Sequence, residues 1–256
     1  MGDDGGMLLI EQARKRGRPL VLAHRGASLV AAENTLGAFH AARRMGADGV
    51  ELDVMRCGSG EVVVFHDEDT IRLCGAPGVV RTLPLEALRA RWVAGHACVP
   101  TLAEALETIG PEMLVNVELK SPGGSRVLRD DGLAALVAAL VARHGATARV
   151  VASSFDPLLL ARFRRLAPGV ATGLLFWKGQ ARPLREAWAA PLVGVEAVHP
   201  EARLLSPERM ARWLRRGYAV ATWTIDDPDK ARRAAGLGVH AIITNDPARV
   251  LGALNG

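Results

Sequence analysis

The stretch Gly49–Val54, GVELDV, alternates apolar and acidic residues inside what otherwise reads as a buried β-strand. Successive side chains of a strand point to opposite faces, so Val50, Leu52 and Val54 share one face while Glu51 and Asp53 share the other. Two carboxylates so placed lie about 6.6 Å apart and repel by roughly 3 kcal/mol at an effective dielectric near 20. The stretch Leu114–Lys120, LVNVELK, repeats the pattern: Val115, Val117 and Leu119 fall on one face, Asn116, Glu118 and Lys120 on the other. If the apolar faces meet an outer layer of helices, the carboxylates of Glu51, Asp53 and Glu118 turn inward together. Three oxygen donors with neither Cys nor clustered His select a hard divalent cation, Mg²⁺ or Ca²⁺, over zinc. Solvated residues on a one-sided antiparallel sheet are the competing reading, and the helical segments flanking both strands weigh against it.

Outward from these two strands, short apolar runs alternate with Ala/Leu/Arg-rich helical segments along the whole chain. Strands are expected at 21–24, 50–54, 62–66, 114–119, 149–154, 172–176, 197–199, 219–224 and 241–244. Helices are expected at 35–45, 102–109, 132–144, 157–166, 181–189, 207–216 and 228–235. Only seven residues, MRCGSGE, separate Val54 from Val62. A parallel crossover needs about a dozen or more, so this pair must form an antiparallel hairpin. Setting the hairpin strand aside leaves the eight βα units of a distorted (β/α)8 TIM barrel, an α/β fold. No GxGxxG loop follows the first strand, which disfavours an open doubly wound sheet. Residues 67–100 carry Gly, Pro and one short helix, 85–92, and are expected to form a small cap. No linker divides the chain, so residues 1–256 are expected to be a single domain.

Composition narrows the function classes. The chain has 256 residues, 49% of them hydrophobic, and a net charge of +5 carried mainly by Arg scattered over helical segments. That distribution is not a basic stripe interleaved with aromatics, so no nucleic acid partner is expected, although a mild attraction for phosphorylated small molecules fits. No apolar run approaches the roughly 18 residues of a membrane span, and Met7–Ile10 is too short for the core of a cleaved signal peptide; no stable membrane insertion is expected. Cys57, Cys74 and Cys98 form no CxxC and cannot all pair, which suits a reducing cytoplasm. The oligomeric state is not determined by these features.

His24 ends the first strand in LAHRG, and His66 ends the hairpin strand in VVVFHD. Both belong at the barrel rim beside the acids, where active sites of this architecture are built, and such a pair can divide general acid and general base at neutral pH. Arg25 and Lys120 supply positive charge for a phosphate, as a bidentate fork and a point charge; a simple ion pair with Glu118 is the alternative for Lys120. Only four lysines occur in the chain, which makes one at an inward position informative. Trp223 stands at a strand end and could stack on a substrate or simply pack. His199, in AVHP, is a weaker candidate for the barrel mouth. Ser154 and Asp156 read as a helix N-cap region.

The ordered set AHRGAS, AENTLGAF, GADGVELDV, VVVFHDEDTIR, PTLAEAL, NVELK, SSFDP, AVHP, WTIDDP and AIITNDPARV resembles the glycerophosphodiester phosphodiesterase family, whose distorted (β/α)8 barrel is related to the phosphatidylinositol-specific phospholipases. The resemblance spans almost the whole chain. It implies His24 and His66 as the acid/base pair, Glu51, Asp53 and Glu118 as ligands of a divalent cation (Mg²⁺ or Ca²⁺), and Arg25 and Lys120 near the phosphate. It further implies that Glu33 belongs to the polar network of the site. The activity implied is release of an alcohol and sn-glycerol 3-phosphate from a small glycerophosphodiester, placing the chain in lipid and glycerol metabolism. A lysophospholipase D-type or other phosphodiesterase reaction at the same site and a non-catalytic barrel that binds phosphorylated ligands are the alternatives. The chain departs from the family pattern in having Ala32 where Pro usually precedes ENT, Asp226 where Asn usually closes Trp-Thr-x-Asn, and Leu73 and Cys74 after Arg72 where Thr-Thr is common.

Overall fold

The structure is a computed structural model that describes residues 7–122 and 131–255. Its strands are β1 Leu20–His24, β2 Gly49–Arg56, β3 Val62–Val64, β4 Leu114–Leu119, β5 Val150–Ser154, β6 Ala171–Phe176, β7 Ala197–Pro200, β8 Ala219–Thr222 and β9 Ala241–Thr244. β1 pairs in parallel with both β2 and β9, which closes the sheet. β3 alone runs antiparallel, pairing Val54 with Val64. The architecture is therefore a closed (β/α)8 barrel with one hairpin strand hung on the carboxyl end of β2.

The alternation read from the sequence is the one that sorts the core. Val50, Leu52, Val54, Val115, Val117 and Leu119 pack against helix residues such as Phe39, Leu102, Leu106 and Val137, all buried. Val21, Leu174, Phe176, Val198, Val220 and Ile242 do the same on the far side, around Trp213. The inward-facing Leu20, Leu22, Leu114, Val151, Ala171, Ala197, Ala219 and Ala241 form a separate interior cluster joined by Leu9 and Ala13. Those two residues belong to the helix Met7–Arg16, which stops the amino-terminal end of the barrel. The Met7–Ile10 run is thus the start of a helix, and among the described residues no helix is long and apolar enough to cross a membrane.

Several boundaries differ from the expectation. The helix expected over 181–189 is two short ones, Arg182–Arg185 and Ala190–Val193. Ala187 takes a left-handed φ of 54°, and Pro191 has no N–H with which to continue a helix through it. The cap helix ends at Arg89 instead of 92. β8 stops at Thr222 and β3 at Val64, two residues short of His66. Helices Met7–Arg16 and Pro247–Asn255 were not anticipated. The cap rests on its own small core, in which Leu88 and Val93 pack with Met55, Phe65 and Val80.

His199 lies inside the barrel and is 1% exposed. It therefore does not line the mouth. Its ring lies over Gly173, where a Cβ would come within 2.4 Å of His199 Nε2. Burial pushes its pKa down to about 4, so the imidazole is neutral, and both of its ring nitrogens lack a partner among the described residues. Gly173→Ala should cost about 1–3 kcal/mol in urea unfolding, the usual penalty for overpacking, and the penalty should vanish in a His199→Ala background. An unchanged midpoint for the single variant would show that the ring is free to move.

Candidate active site

The site forms where β1, β2 and β4 end. β1 delivers His24, and the chain then turns through two left-handed residues, Arg25 at φ 57° and Gly26 at φ 83°. Gly26 is required there, because a Cβ would sit 2.6 Å from that of Ala38. The turn brings the Arg25 backbone N–H onto Glu51 Oε2 at 3.1 Å. The guanidinium reaches back to Glu33 Oε1 at 2.7 Å, and its Nε makes an ion-pair contact with Asp53 Oδ2 at 3.3 Å.

Register sets Asp53 beside Glu118 across β2 and β4. Glu51, Asp53 and Glu118 are all buried, and each offers an oxygen within 4.8 Å of the others. Lys120 Nζ binds Glu118 Oε1 at 2.6 Å and Asp53 Oδ1 at 2.8 Å. Asn34, left-handed at φ 57°, donates its amide to Asp53 Oδ2 at 2.8 Å.

Burden is shared unequally among the three acids. Burial and the charges of Asp53 and Glu118 push Glu51 well above the usual carboxylate range. Burial and Asp53 also raise Glu118, against the pull of Lys120. Asp53 is held far below that range: burial opposes this, and Lys120, His66 and Arg25 outweigh it. Lys120 is raised in turn, its own desolvation overcome by Asp53 and Glu118. His24 is lowered by burial and by the neighbouring Arg25.

His66 follows β3 and meets Asp67 through Nδ1 and Oδ1 at 2.6 Å. Asp67 also accepts from Arg72 Nε at 2.6 Å. Arg72, from the cap, donates to both Glu33 oxygens at 2.7 and 3.0 Å. Glu33 thus joins Arg25 to Arg72. On the other side, His24 Nδ1 lies 2.7 Å from Asn245 Oδ1.

A cavity of about 140 Å³ is lined by His24, Arg25, Glu51, His66, Asn116, Glu118, Lys120, Phe155, Leu175, Trp223 and Ile243. Of the residues singled out from the sequence, Asp53 and Glu33 stand just behind this wall, each in contact with Arg25. Trp223 sits edge-on to Phe155, ring centroids 5.6 Å apart, with its indole N–H committed to the His199 carbonyl at 2.8 Å. A wider groove of about 510 Å³ opens from the same His66–Glu118–Lys120–Phe155 edge and is walled by Met55, Leu119, Trp177 and Leu184. Asp156 caps the helix Pro157–Leu166, accepting from Leu158 and Leu159, as its sequence context suggested.

The alternation of β4 gave Asn116 an inward face but no role; sequence reasoning missed Asn34, Asp67, Arg72, Asp226 and Asn245. Asp67 follows a candidate histidine directly and was the most accessible of these; the others become site residues only through contacts across the fold.

The donor set suits a hard cation. All three carboxylates are buried with Lys120 and Arg25 as their directly contacting cationic side chains, and among the described residues the Asn116 Oδ1 beside them is buried without a hydrogen-bond partner. An all-oxygen set of this kind is what Mg²⁺ or Ca²⁺ takes.

Comparison with known proteins places this geometry in a family context. The model of the glycerophosphoryl diester phosphodiesterase family matches residues 24–249. A glycerophosphodiester phosphodiesterase of Caldanaerobacter subterraneus subsp. tengcongensis is 32% identical over 91% of this chain and 97% of its own length. An Oleispira antarctica phosphodiesterase, solved in complex with the product sn-glycerol-3-phosphate, superposes with a TM-score of 0.82 at 26% identity, covering 93% of this chain and 98% of that one. A glycerophosphodiester phosphodiesterase from Thermotoga maritima gives a TM-score of 0.74 at 27% identity over 91% of this chain and 97% of its own.

The raised pKa of Glu51 has a stability signature. Stability that depends on its protonated form is complete below the ordinary carboxylate range and is lost as pH rises through the elevated folded-state value. In chelator, Glu51→Gln should therefore melt close to wild type at acidic pH and increasingly above it toward neutrality. Thermal melts across pH check this, and a gap that narrows with rising pH would contradict the assignment of Glu51 as the overburdened acid.

Proposed function

The chain belongs to the glycerophosphoryl diester phosphodiesterase family and is a phosphodiesterase; from that premise we propose that it hydrolyses a glycerophosphodiester to an alcohol and sn-glycerol 3-phosphate, by His/His acid–base catalysis that depends on a divalent cation. One observation carries the reading: two imidazoles, one at the end of β1 and one just beyond β3, a guanidinium, an ammonium and two of three clustered carboxylates line a single cavity. Glu51, Asp53 and Glu118 would hold the cation, Mg²⁺ or Ca²⁺. When bound, it supplies Lewis-acid stabilisation of negative charge on a phosphoryl oxygen.

The remaining chemistry falls to the chain's own residues. Arg25 and Lys120 bring positive charge to the phosphate. Of His24 and His66, one accepts the proton of the attacking hydroxyl and the other gives a proton to the departing alcohol oxygen. Asp67 accepts one ring nitrogen of His66 and so fixes which edge of the ring faces the cavity. Glu33 keeps Arg25 extended by binding it end-on, and through Arg72 ties that loop to Asp67. Trp223 and Phe155 form an apolar wall for the carbon skeleton of the substrate. Residues 1–256 are read as one catalytic domain, and the free thiols Cys57, Cys74 and Cys98 favour a cytoplasmic setting.

Water-soluble head-group diesters are the favoured substrates over lysophospholipids. In the cap, Leu88 and Val93 are buried and Leu83 and Leu85 pack onto them, which leaves Ile71, Val79 and Trp92 as its exposed large apolar side chains and gives an acyl chain limited cover. The groove beyond His66 has room for the second substituent of the phosphate.

Turnover of glycerophosphocholine, read as glycerol 3-phosphate release across a metal series, tests the proposal. Wild type should work with Mg²⁺ or Ca²⁺, fall silent in chelator, and prefer glycerophosphocholine to lysophosphatidylcholine. His66→Ala should lower kcat by about 10²–10⁴-fold with its thermal midpoint unchanged, the range spanned by a positioned acid or base. Full activity in chelator or in the His66 variant would refute the mechanism.

A further inference from the structure

His24 is oriented from behind by two residues distant in sequence. Its Nδ1 lies 2.7 Å from Asn245 Oδ1. The Asn245 side-chain amide donates to Asp226 Oδ2 at 2.8 Å, and its backbone N–H donates to Asp226 Oδ1 at 2.7 Å. Thr244 Oγ1 donates to the same Oδ1 at 2.9 Å, and Ser28 Oγ donates to Asn245 Oδ1 at 3.1 Å.

The direction of every bond in this chain is fixed by one residue. An ionised carboxylate can only accept, so the Asp226 Oδ2 compels Asn245 to turn its NH₂ away from His24. The Asn245 oxygen, an acceptor, is then what faces the imidazole. A neutral His24 must place its proton on Nδ1 to satisfy that oxygen, which leaves the Nε2 lone pair directed away from Asn245. Nε2 stands 3.9 Å from Glu51 Oε2, on the cavity side of the ring.

We propose that Asp226 and Asn245 form a tautomer clamp, positioning residues that hold His24 with its proton on Nδ1 and its bare Nε2 toward the substrate. The inference rests on the reading of His24 as one of the proton-transfer groups. The clamp also gives a use to Asp226, the residue at which this chain departs from the Trp-Thr-x-Asn pattern.

An amide at position 226 has one acceptor oxygen, and the Thr244 hydroxyl and the Asn245 backbone N–H both call on it. Its NH₂ would then confront the NH₂ of Asn245. Rotation of the Asn245 amide relieves that clash and presents a donor to His24 Nδ1, which moves the neutral ring's proton to Nε2. Exchanging the two residues restores the original pattern: a carboxylate at position 245 accepts from Nδ1, and an amide at position 226 donates to that carboxylate.

The test compares wild type, Asp226→Asn and the exchanged pair D226N/N245D. Ring-nitrogen NMR of ¹⁵N-histidine-labelled protein, with and without Mg²⁺, reports the His24 tautomer, and glycerophosphocholine turnover is measured in parallel. Wild-type His24 should carry its proton on Nδ1. Asp226→Asn should shift it to Nε2 and lower kcat by about 10²–10⁴-fold with KM little changed, the scale on which losing an acid–base group acts. The exchanged pair should recover the Nδ1–H tautomer and most of kcat. A wild-type ring protonated on Nε2 overturns the clamp without recourse to any variant. So does an Asp226→Asn protein that keeps Nδ1–H and full kcat, or an exchanged pair that folds yet recovers neither signal. Absence of turnover in wild type would instead count against the proposed function, because the tautomer readout does not depend on it.

Discussion

Three carboxylates brought together in the interior of a barrel, answered at contact distance by Lys120 and Arg25, is the constraint around which this molecule is arranged. Interior placement magnifies both repulsion and attraction, since the effective dielectric is far below that of water. The result is a division of labour. Asp53 collects Lys120, the Arg25 guanidinium and the Asn34 amide and stays ionised. Glu51 receives a single backbone N–H and bears most of the repulsion. The two left-handed residues Arg25 and Asn34 make sense in this light. Each sits in a sparsely populated backbone region and places a donor that the acids require.

The two imidazoles are held by chemically different partners. Asp67 gives His66 a carboxylate, whereas Asn245 gives His24 a neutral amide oxygen. A carboxylate stabilises an imidazolium and a neutral acceptor does so far less, so the two rings stand in unequal electrostatic settings. The network that supports them is also asymmetric. His66 is joined through Asp67, Arg72 and Glu33 to Arg25, a path that runs through the cap. His24 is anchored instead to the loops after β8 and β9, on the closed part of the barrel.

How far the sequence discloses this depends on the distance over which each residue acts. The period-two pattern of GVELDV and LVNVELK is local, and it assigned faces to both strands and, with the seven-residue hairpin spacing, the barrel itself. Glu51, Asp53, Glu118 and Lys120 followed from that alternation, and His24 and His66 from their strand ends. Glu33 came only from resemblance, because a glutamate in a loop carries no periodic signal. Asn245 lies 221 residues from its histidine and Arg72 lies 39 from Glu33; nothing near either in sequence marks the contact. The broken helix over 181–189 was misjudged for the opposite reason: helical composition there is strong, and Pro191 with a left-handed Ala187 overrides it.

Fold and site are nevertheless specified by the same alternation, and magnitudes explain why the arrangement holds. Burying Val50, Leu52 and Val54 outward contributes about 4.5–9 kcal/mol in all, at about 1.5–3 kcal/mol each, and that total exceeds the roughly 3 kcal/mol of repulsion between the two inward acids at an effective dielectric near 20. A one-residue slip of β2 would reverse every side chain, drive Glu51 and Asp53 among Phe39, Leu102 and Leu106 of the helical layer, and turn the valines toward the cavity. The apolar face therefore fixes the register, and the register delivers the acids. Gly49 adds a second lock, since a Cβ there would meet the Leu114 carbonyl oxygen at 2.5 Å, so the close approach of β2 to β4 that sets Asp53 against Glu118 is available only to glycine.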